Sequence, residues 1–244
     1  MQTEEYARLF EHEDSYWWFV GRRRLALALL NQALSGTSGR QVLDLGCGTG
    51  AVLANLAQRH ESYGLDFSAL ALEFCAKRGL ERLTLGNGER LPFRDAQFDA
   101  IVALDIIEHI PDDRAAFSEA FRVLKPGGAL VMSVPAFRWL WGPHDIALMH
   151  QRRYTRSEVR ARLTEAGFEP ERLSYSVFAL FPAVVLVRLR DKLRRGPAKV
   201  DLPVVSPGLN RWLIRVQDRE ANWTLKHSLP WGSSVVAVGR KASD

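Results

Sequence analysis

Along residues 41–176, short apolar runs alternate with longer stretches whose apolar residues recur every three or four positions, the mark of strands separated by helices. The runs predict strands at 41–45, 62–66, 83–86, 100–104 and 129–134. Helices are predicted between them at 51–58, 68–77 and 114–123, with Ser68 as an N-cap and Pro126-Gly127-Gly128 turning the third helix into the fifth strand. Another helix opens at Thr155, where Glu158 completes a capping box, and closes at Gly167. Two more strands follow, at 173–176 and 234–239. Such alternation builds a parallel sheet covered on both faces, the α/β class.

The flanks break this rhythm. Helices at 2–10 and 22–33 are expected on either side of Tyr16-Trp17-Trp18-Phe19. Before the last strand, residues 177–231 intervene: an apolar piece with Pro182, a basic piece (Arg188, Arg190, Lys192, Arg194, Arg195), a linker with Pro197, Pro203 and Pro207, and a helix at 208–226. The chain therefore divides into an N-terminal helical cap (1–36), a core (37–176), a helical and basic insertion (177–231) and a final strand with its tail (232–244).

Composition narrows the function classes. A chain of 244 residues with 47% hydrophobic content suits one α/β domain with elaborations. Its 33 Lys and Arg against 28 Asp and Glu give a net charge of +5, without the dense basic stripe of a nucleic-acid binder, so no nucleic-acid partner is expected. The two cysteines, Cys47 and Cys75, fall in separate elements and suggest neither a metal pair nor a disulfide framework. The acidic N-terminus is no secretory signal, and the longest uncharged run, ending at Val187, is shorter than the roughly 20 residues that span a bilayer. A cytoplasmic protein is the simplest expectation.

The chemistry is concentrated in Val42-Leu-Asp-Leu-Gly-Cys-Gly-Thr-Gly50. A strand interior runs into a glycine turn that lets the backbone approach a ligand, and the helix after it aims free N–H groups at the same place. Asp66 ends the next apolar run, where a carboxylate can take both ribose hydroxyls. Gly46, Gly48 and Ala51 also fit the dinucleotide fingerprint, but Asp44 beside the turn would repel a diphosphate and suit an ammonium group.

At this point the chain resembles the class I S-adenosylmethionine-dependent methyltransferases, in the small-molecule group that includes quinone-pathway enzymes. The resemblance continues in order through GLDFS (64–68), GNGERLPF (86–93), FDAIVALDIIEHI (98–110) and RVLKPGGALVMSVP (122–135). It implies a Rossmann-like, seven-stranded, mostly parallel sheet and S-adenosylmethionine as cofactor. It further implies that Asp44, Gly46, Cys47 and Gly48 hold the methionine end, that Asp66 takes the ribose, and that Phe67 lies against adenine. Asn87 stands where relatives have an aspartate for the adenine amino group, Gly88 would offer its N–H to the ring, and the Leu104 carbonyl would face the methionine amino group.

Several residues admit competing readings. Asp105, Glu108 and His109 share one face if the segment is helical. They read as a fold-supporting turn, as a site where His109 acts as general base, or as a thin set of divalent-metal ligands; no metal site is assigned. The run His150-Gln-Arg-Arg-Tyr154 resembles a recurring acceptor-side motif, so His150 is a candidate base and Arg152, Arg153 and Tyr154 are candidate acceptor contacts; structural pairing with Asp145 is the plain alternative. Trp17, with Trp18, Trp139 and Trp141, would wall an acceptor pocket or pack as aromatic core, and one of Arg22, Arg23 and Arg24 would clamp the cofactor carboxylate. Residues 177–195 read either as a helix lying on anionic lipid or as a packed lid with a solvated basic face. The expected function is methyl transfer to an O, N or C nucleophile of a small-molecule or glycan/lipid-linked acceptor. The alternatives are an NAD(P)-type oxidoreductase and a non-catalytic cofactor-binding protein.

Overall fold

A computed structural model describes residues 3–193 and 203–243. Gln2, Arg194, Arg195 and Pro197, used above, lie outside the described residues. Helices α1 (Thr3–His12) and α2 (Trp17–Ala33) come first. The core then alternates β1 (Gln41–Leu45), α3 (Ala51–Leu56), β2 (Glu61–Asp66), α4 (Ala69–Lys77), β3 (Leu83–Leu85), β4 (Phe98–Leu104), α5 (Asp113–Val123) and β5 (Leu124–Pro135). After it come α6 (Pro143–Ala147), α7 (Arg156–Glu165), β6 (Glu169–Ser176), α8 (Phe181–Leu193), α9 (Pro207–Thr224) and β7 (Ser234–Arg240). Short 3-10 turns occupy Ile107–His109 and Arg138–Leu140.

The seven strands form one sheet in the order β3-β2-β1-β4-β5-β7-β6. Only β7 runs antiparallel to its neighbours, β5 and β6. Strand alternation sends Leu43, Leu45, Ile101 and Leu130 to one face, where they pack on α5 and α7. It sends Val42, Ala100, Val102 and Val131 to the other, against α2 and α9. The helix of the insertion thus completes the sheet's second layer: Gln217 of α9 donates to the Trp17 carbonyl of α2 at 3.2 Å. Among the described residues, no helix is long and apolar enough to cross a membrane.

Three boundaries differ from expectation. Helix α2 begins at Trp17, so the aromatic segment forms its first turn; Tyr16 supplies an extended N-cap residue. Helix α5 ends without a separate turn, because Pro126-Gly127-Gly128 lie inside β5, which starts at Leu124. The Trp-rich loop folds into the Arg138–Leu140 turn and α6, whose first turn Asp145 closes by accepting the Gly142 N–H at 2.9 Å.

Candidate active site

The carboxyl ends of β1, β2 and β4 converge around the glycine turn, the usual ligand edge of an open α/β sheet. Gly46 has φ +73°, and a Cβ there would lie 2.4 Å from Ile106 Cγ1, so only glycine serves. The Gly48 N–H donates to Asp66 Oδ2 at 2.9 Å and the Ser68 N–H to Oδ1 at 3.0 Å, which fixes the Asp66 carboxylate beside the turn. Asp44 is only 2% exposed, and its Oδ2 has no hydrogen-bond partner. Burial, then the nearby Asp66, pushes its pKa up to about 8. Phe67 is 62% exposed, an open aromatic face next to Asp66. Gly88 packs against Ile110, and Leu104 ends β4. A narrow cleft nearby is lined by Trp18, Arg22, Leu104, Ser133 and Gln217.

These residues fit an adenosyl amino acid. The orphaned Asp44 oxygen calls for a cation, Arg22 keeps a buried Nε–H without a partner, and Asp66 has lone pairs beyond the two backbone donors. Asp105 ties Arg22 in place through an ion pair and accepts from Ser133 Oγ at 2.7 Å. Although burial raises it, Asp105 is held below the usual carboxylate range by Arg22 and Ser133.

Other positions depart from the sequence reading. Cys47 turns away from the ligand edge: its sulfur lies 3.8 Å from that of Cys75, so α4 brings together two free thiols expected apart. Asn87 Oδ1 accepts from the Glu89 N–H at 3.0 Å, which engages the oxygen assigned to adenine. Trp17 packs edge-on against Trp18, and Trp18 lines the cleft. Arg153 is 3% exposed, bonded to Asp145 at 2.7 Å and the Ala136 carbonyl at 2.9 Å. Tyr154 is equally buried, its hydroxyl donating to Asp113 at 2.9 Å, while Arg152 reaches the Pro111 carbonyl at 2.6 Å. Arg153 and Tyr154 are committed to buried packing, so the acceptor contacts expected of them are corrected; Arg152 stays a quarter exposed.

The expected common face of Asp105, Glu108 and His109 is also broken, because Asp105 has φ +51° and only Ile107–His109 coil, as a 3-10 turn. Glu108 and His109 instead meet His150. The two imidazoles sit edge to face with centroids 4.8 Å apart, and Glu108 Oε1 lies 4.0 Å from His150 Nε2. Glu108 is fully buried with neither oxygen bonded, and burial, then Asp105, raises its pKa well above the ordinary value. Burial, then His150, lowers His109 to about 4. Glu108, His109 and His150 each offer one donor atom, all within 4.8 Å of one another, the set a divalent cation would use.

Two groups of residues escaped the sequence reading as parts of the site. Asp145, raised by burial but held low by His150 and Arg153, takes His150 Nδ1 at 2.9 Å. A carboxylate can only accept, so Nδ1 carries the proton and Nε2 is the free nitrogen. Over the glycine turn, Glu13 bonds Thr49 and pairs with Arg78 at 2.7 Å, while buried Tyr6 lies beside Ser68 and Asp66. The acids of this first segment were visible in the sequence only as evidence against a secretory signal.

Residues 43–132 match the family model described as methyltransferase domain. A Mycolicibacterium smegmatis protein named "probable S-adenosylmethionine-dependent methyltransferase" is 34% identical over 166 residues, covering 65% of this chain and 62% of that protein. The ubiquinone biosynthesis O-methyltransferase of Alkalilimnicola ehrlichii is 35% identical over 142 residues, 51% of this chain and 56% of its own length. Other relatives are named as tRNA methyltransferases. The chain thus spans less than two thirds of the length of these curated relatives. An S-adenosylmethionine-dependent methyltransferase structure from Thermotoga maritima superposes with TM-score 0.63 at 22% identity, over 98% of this chain and 95% of that one. The ordered motifs, the sheet order and these matches agree: the chain has the Rossmann-like fold of the class I S-adenosylmethionine-dependent methyltransferases, and its residues 43–132 match a methyltransferase domain.

Proposed function

We propose that the protein transfers a methyl group from S-adenosylmethionine to an O, N or C nucleophile of a small-molecule or glycan/lipid-linked acceptor. The observation that carries the reading is the buried, unpartnered oxygen of Asp44 beside the glycine turn, with the Asp66 carboxylate fixed next to it. A diphosphate brings no hydrogen-bond donor to the buried Asp44 oxygen, which argues against a dinucleotide oxidoreductase. An ammonium and a ribose satisfy it.

When bound, the cofactor supplies a methyl group already activated on a sulfonium. The chain's own work is positional. Asp44 takes the amino group and Arg22 the carboxylate, Asp66 takes the ribose, and the open Phe67 ring covers the adenine. His150 removes the acceptor's proton through Nε2, the nitrogen left free because Asp145 holds Nδ1. His109, kept neutral by burial and packed on His150, shapes the wall around that nitrogen. Trp18 packs beside Arg22 and Leu104 at the end of β4.

Calorimetric titration with S-adenosylhomocysteine and with NAD, followed by an acceptor screen for S-adenosylhomocysteine release, tests the reading. Binding of the thioether without NAD binding is expected. Tight NAD binding alone would overturn the assignment, and thioether binding without turnover on any acceptor class would leave a non-catalytic binding protein.

A further inference from the structure

Helix α8, 13 residues of sequence FPAVVLVRLRDKL, is apolar on its exposed side as well as on its half-buried side. Phe181, Val184, Val185 and Arg188, spaced as one helical stripe, are half-buried. The opposite side exposes Pro182, Ala183, Leu186, Val187 and Leu189, with Leu186 at 69% and Leu189 at 49%. An ordinary lid would turn these apolar residues inward. At its N-terminal end α8 is anchored by ring contacts from Phe181 to Phe137 and Trp139, at 5.9 and 6.1 Å. Phe178, just before it, stacks on Trp231. Trp139 and Trp231 are themselves about half exposed, so the apolar tract continues from the helix onto its base.

Charge identifies the occupant. The C-terminal part of α8, residues 188–192, holds Arg188, Arg190 and Lys192 against the single acid Asp191. Apolar side chains on an exposed helix face, indole rings at its base and a concentrated cationic stretch are what an anionic bilayer surface binds. A second copy of the chain is a poor alternative. A helix of this length offers a face roughly 20 Å by 10 Å, far below the about 800 Å² per partner of a stable interface. It would also set two such cationic stretches against each other.

We infer that the exposed face of α8, with Trp139 and Trp231, docks the protein on anionic lipid. The loop carrying Phe137 and Trp139 also carries His144, Asp145 and His150, so docking turns the acceptor side of the site toward the bilayer. Resting on the methyl-transfer reading, this names the acceptor class: a nucleophile carried on a lipid-anchored molecule. The closeness is direct, since burial and then Arg188 of α8 lower His144 to about 3.

The test is flotation of the full chain with vesicles of equimolar phosphatidylcholine and phosphatidylglycerol, and with phosphatidylcholine alone. The wild type is expected to float with the anionic vesicles at low salt and to be released at high salt. L186E/L189E is expected to lose roughly tenfold or more in vesicle affinity, with unchanged melting temperature and unchanged S-adenosylhomocysteine binding. Wild-type protein that binds S-adenosylhomocysteine but stays at the bottom overturns the surface and leaves methyl transfer standing. Protein that floats but binds no S-adenosylhomocysteine does the reverse. A variant that floats as well as wild type overturns the assignment to α8, as does a concentration-dependent dimer abolished by the same substitutions.

Discussion

The carboxylates that end β1 and β2 differ in what already bonds them. Asp66 is held by two backbone N–H groups, so it is placed whether or not a ribose is present; Asp66→Ala is expected to weaken S-adenosylhomocysteine binding by roughly tenfold to a hundredfold, the worth of charged hydrogen bonds, read by calorimetry. Asp44 has an oxygen with no donor and a pKa raised to about 8. Between its ordinary value and about 8, the folded chain holds a proton that the unfolded chain releases. That contribution to stability is full at low pH and is lost as pH rises through about 8. An ammonium beside Asp44 reverses the preference, so cofactor uptake expels a proton. S-adenosylhomocysteine affinity should climb from about pH 6 to about pH 8, and calorimetry in buffers of different ionisation enthalpy should report the released proton. Asp44→Asn should flatten both. His150→Ala should spare binding and slow turnover by about 10²- to 10⁴-fold, the usual worth of a general base. Asp145→Asn should retain the cofactor yet shift the pH profile of turnover, because the amide can present a donor to Nδ1 and free the wrong nitrogen.

At the scale of elements, the decisive packing is where the insertion returns to the sheet. Gly232 passes over the end of β6 so closely that a Cβ would lie 2.1 Å from the Ser176 carbonyl oxygen, a backbone atom that cannot swing aside. Gly232→Ala should therefore cost about 1–3 kcal/mol, the range for overpacking, seen as a lower melting temperature. The strands and the glycine turn were legible in the sequence because each is local: a short unbroken apolar run and a φ that only glycine tolerates leave marks within a few residues. What the sequence hid is long-range. The spacing of His150, Arg152 and Arg153 left acceptor contact and pairing with Asp145 open, and it did not show that Arg153 takes the second course, that Arg152 reaches Pro111, or that Cys47 and Cys75 meet when α4 docks on the turn. Likewise, the aromatic run at Trp17 looked like a link because aromatics are weak helix formers; contact with α9 decides the matter, through Gln217 and Asn210 on Trp17.

For the whole molecule, the first thirty residues and the last forty close the same site from opposite sides. Helix α2 packs on α9, and α1 lies over the cofactor edge. Leu9 comes within 3.7 Å of where a Cβ on Gly48 would be, Glu13 is bonded to Thr49 and Arg78, and Tyr6 stands beside Asp66. A ligand seated over the Gly48 turn and Asp66 therefore lies under α1, and its release requires α1 to open. Linkage then works in both directions: whatever holds α1 shut holds the ligand, and the ligand must hold α1 shut. At about a hundred times its Kd, S-adenosylhomocysteine should add about 2.7 kcal/mol to the cost of any opening that expels it. Amide hydrogens of α1 should accordingly exchange about a hundredfold more slowly in the complex, read by mass spectrometry. Glu13→Ala, which removes the bond to Thr49 and one of the two ion pairs of Arg78, should raise α1 exchange without ligand and weaken binding by a matching factor. If the ligand protects β1 and β2 while α1 exchanges unchanged, α1 is no part of the closure, and the cofactor enters past it freely.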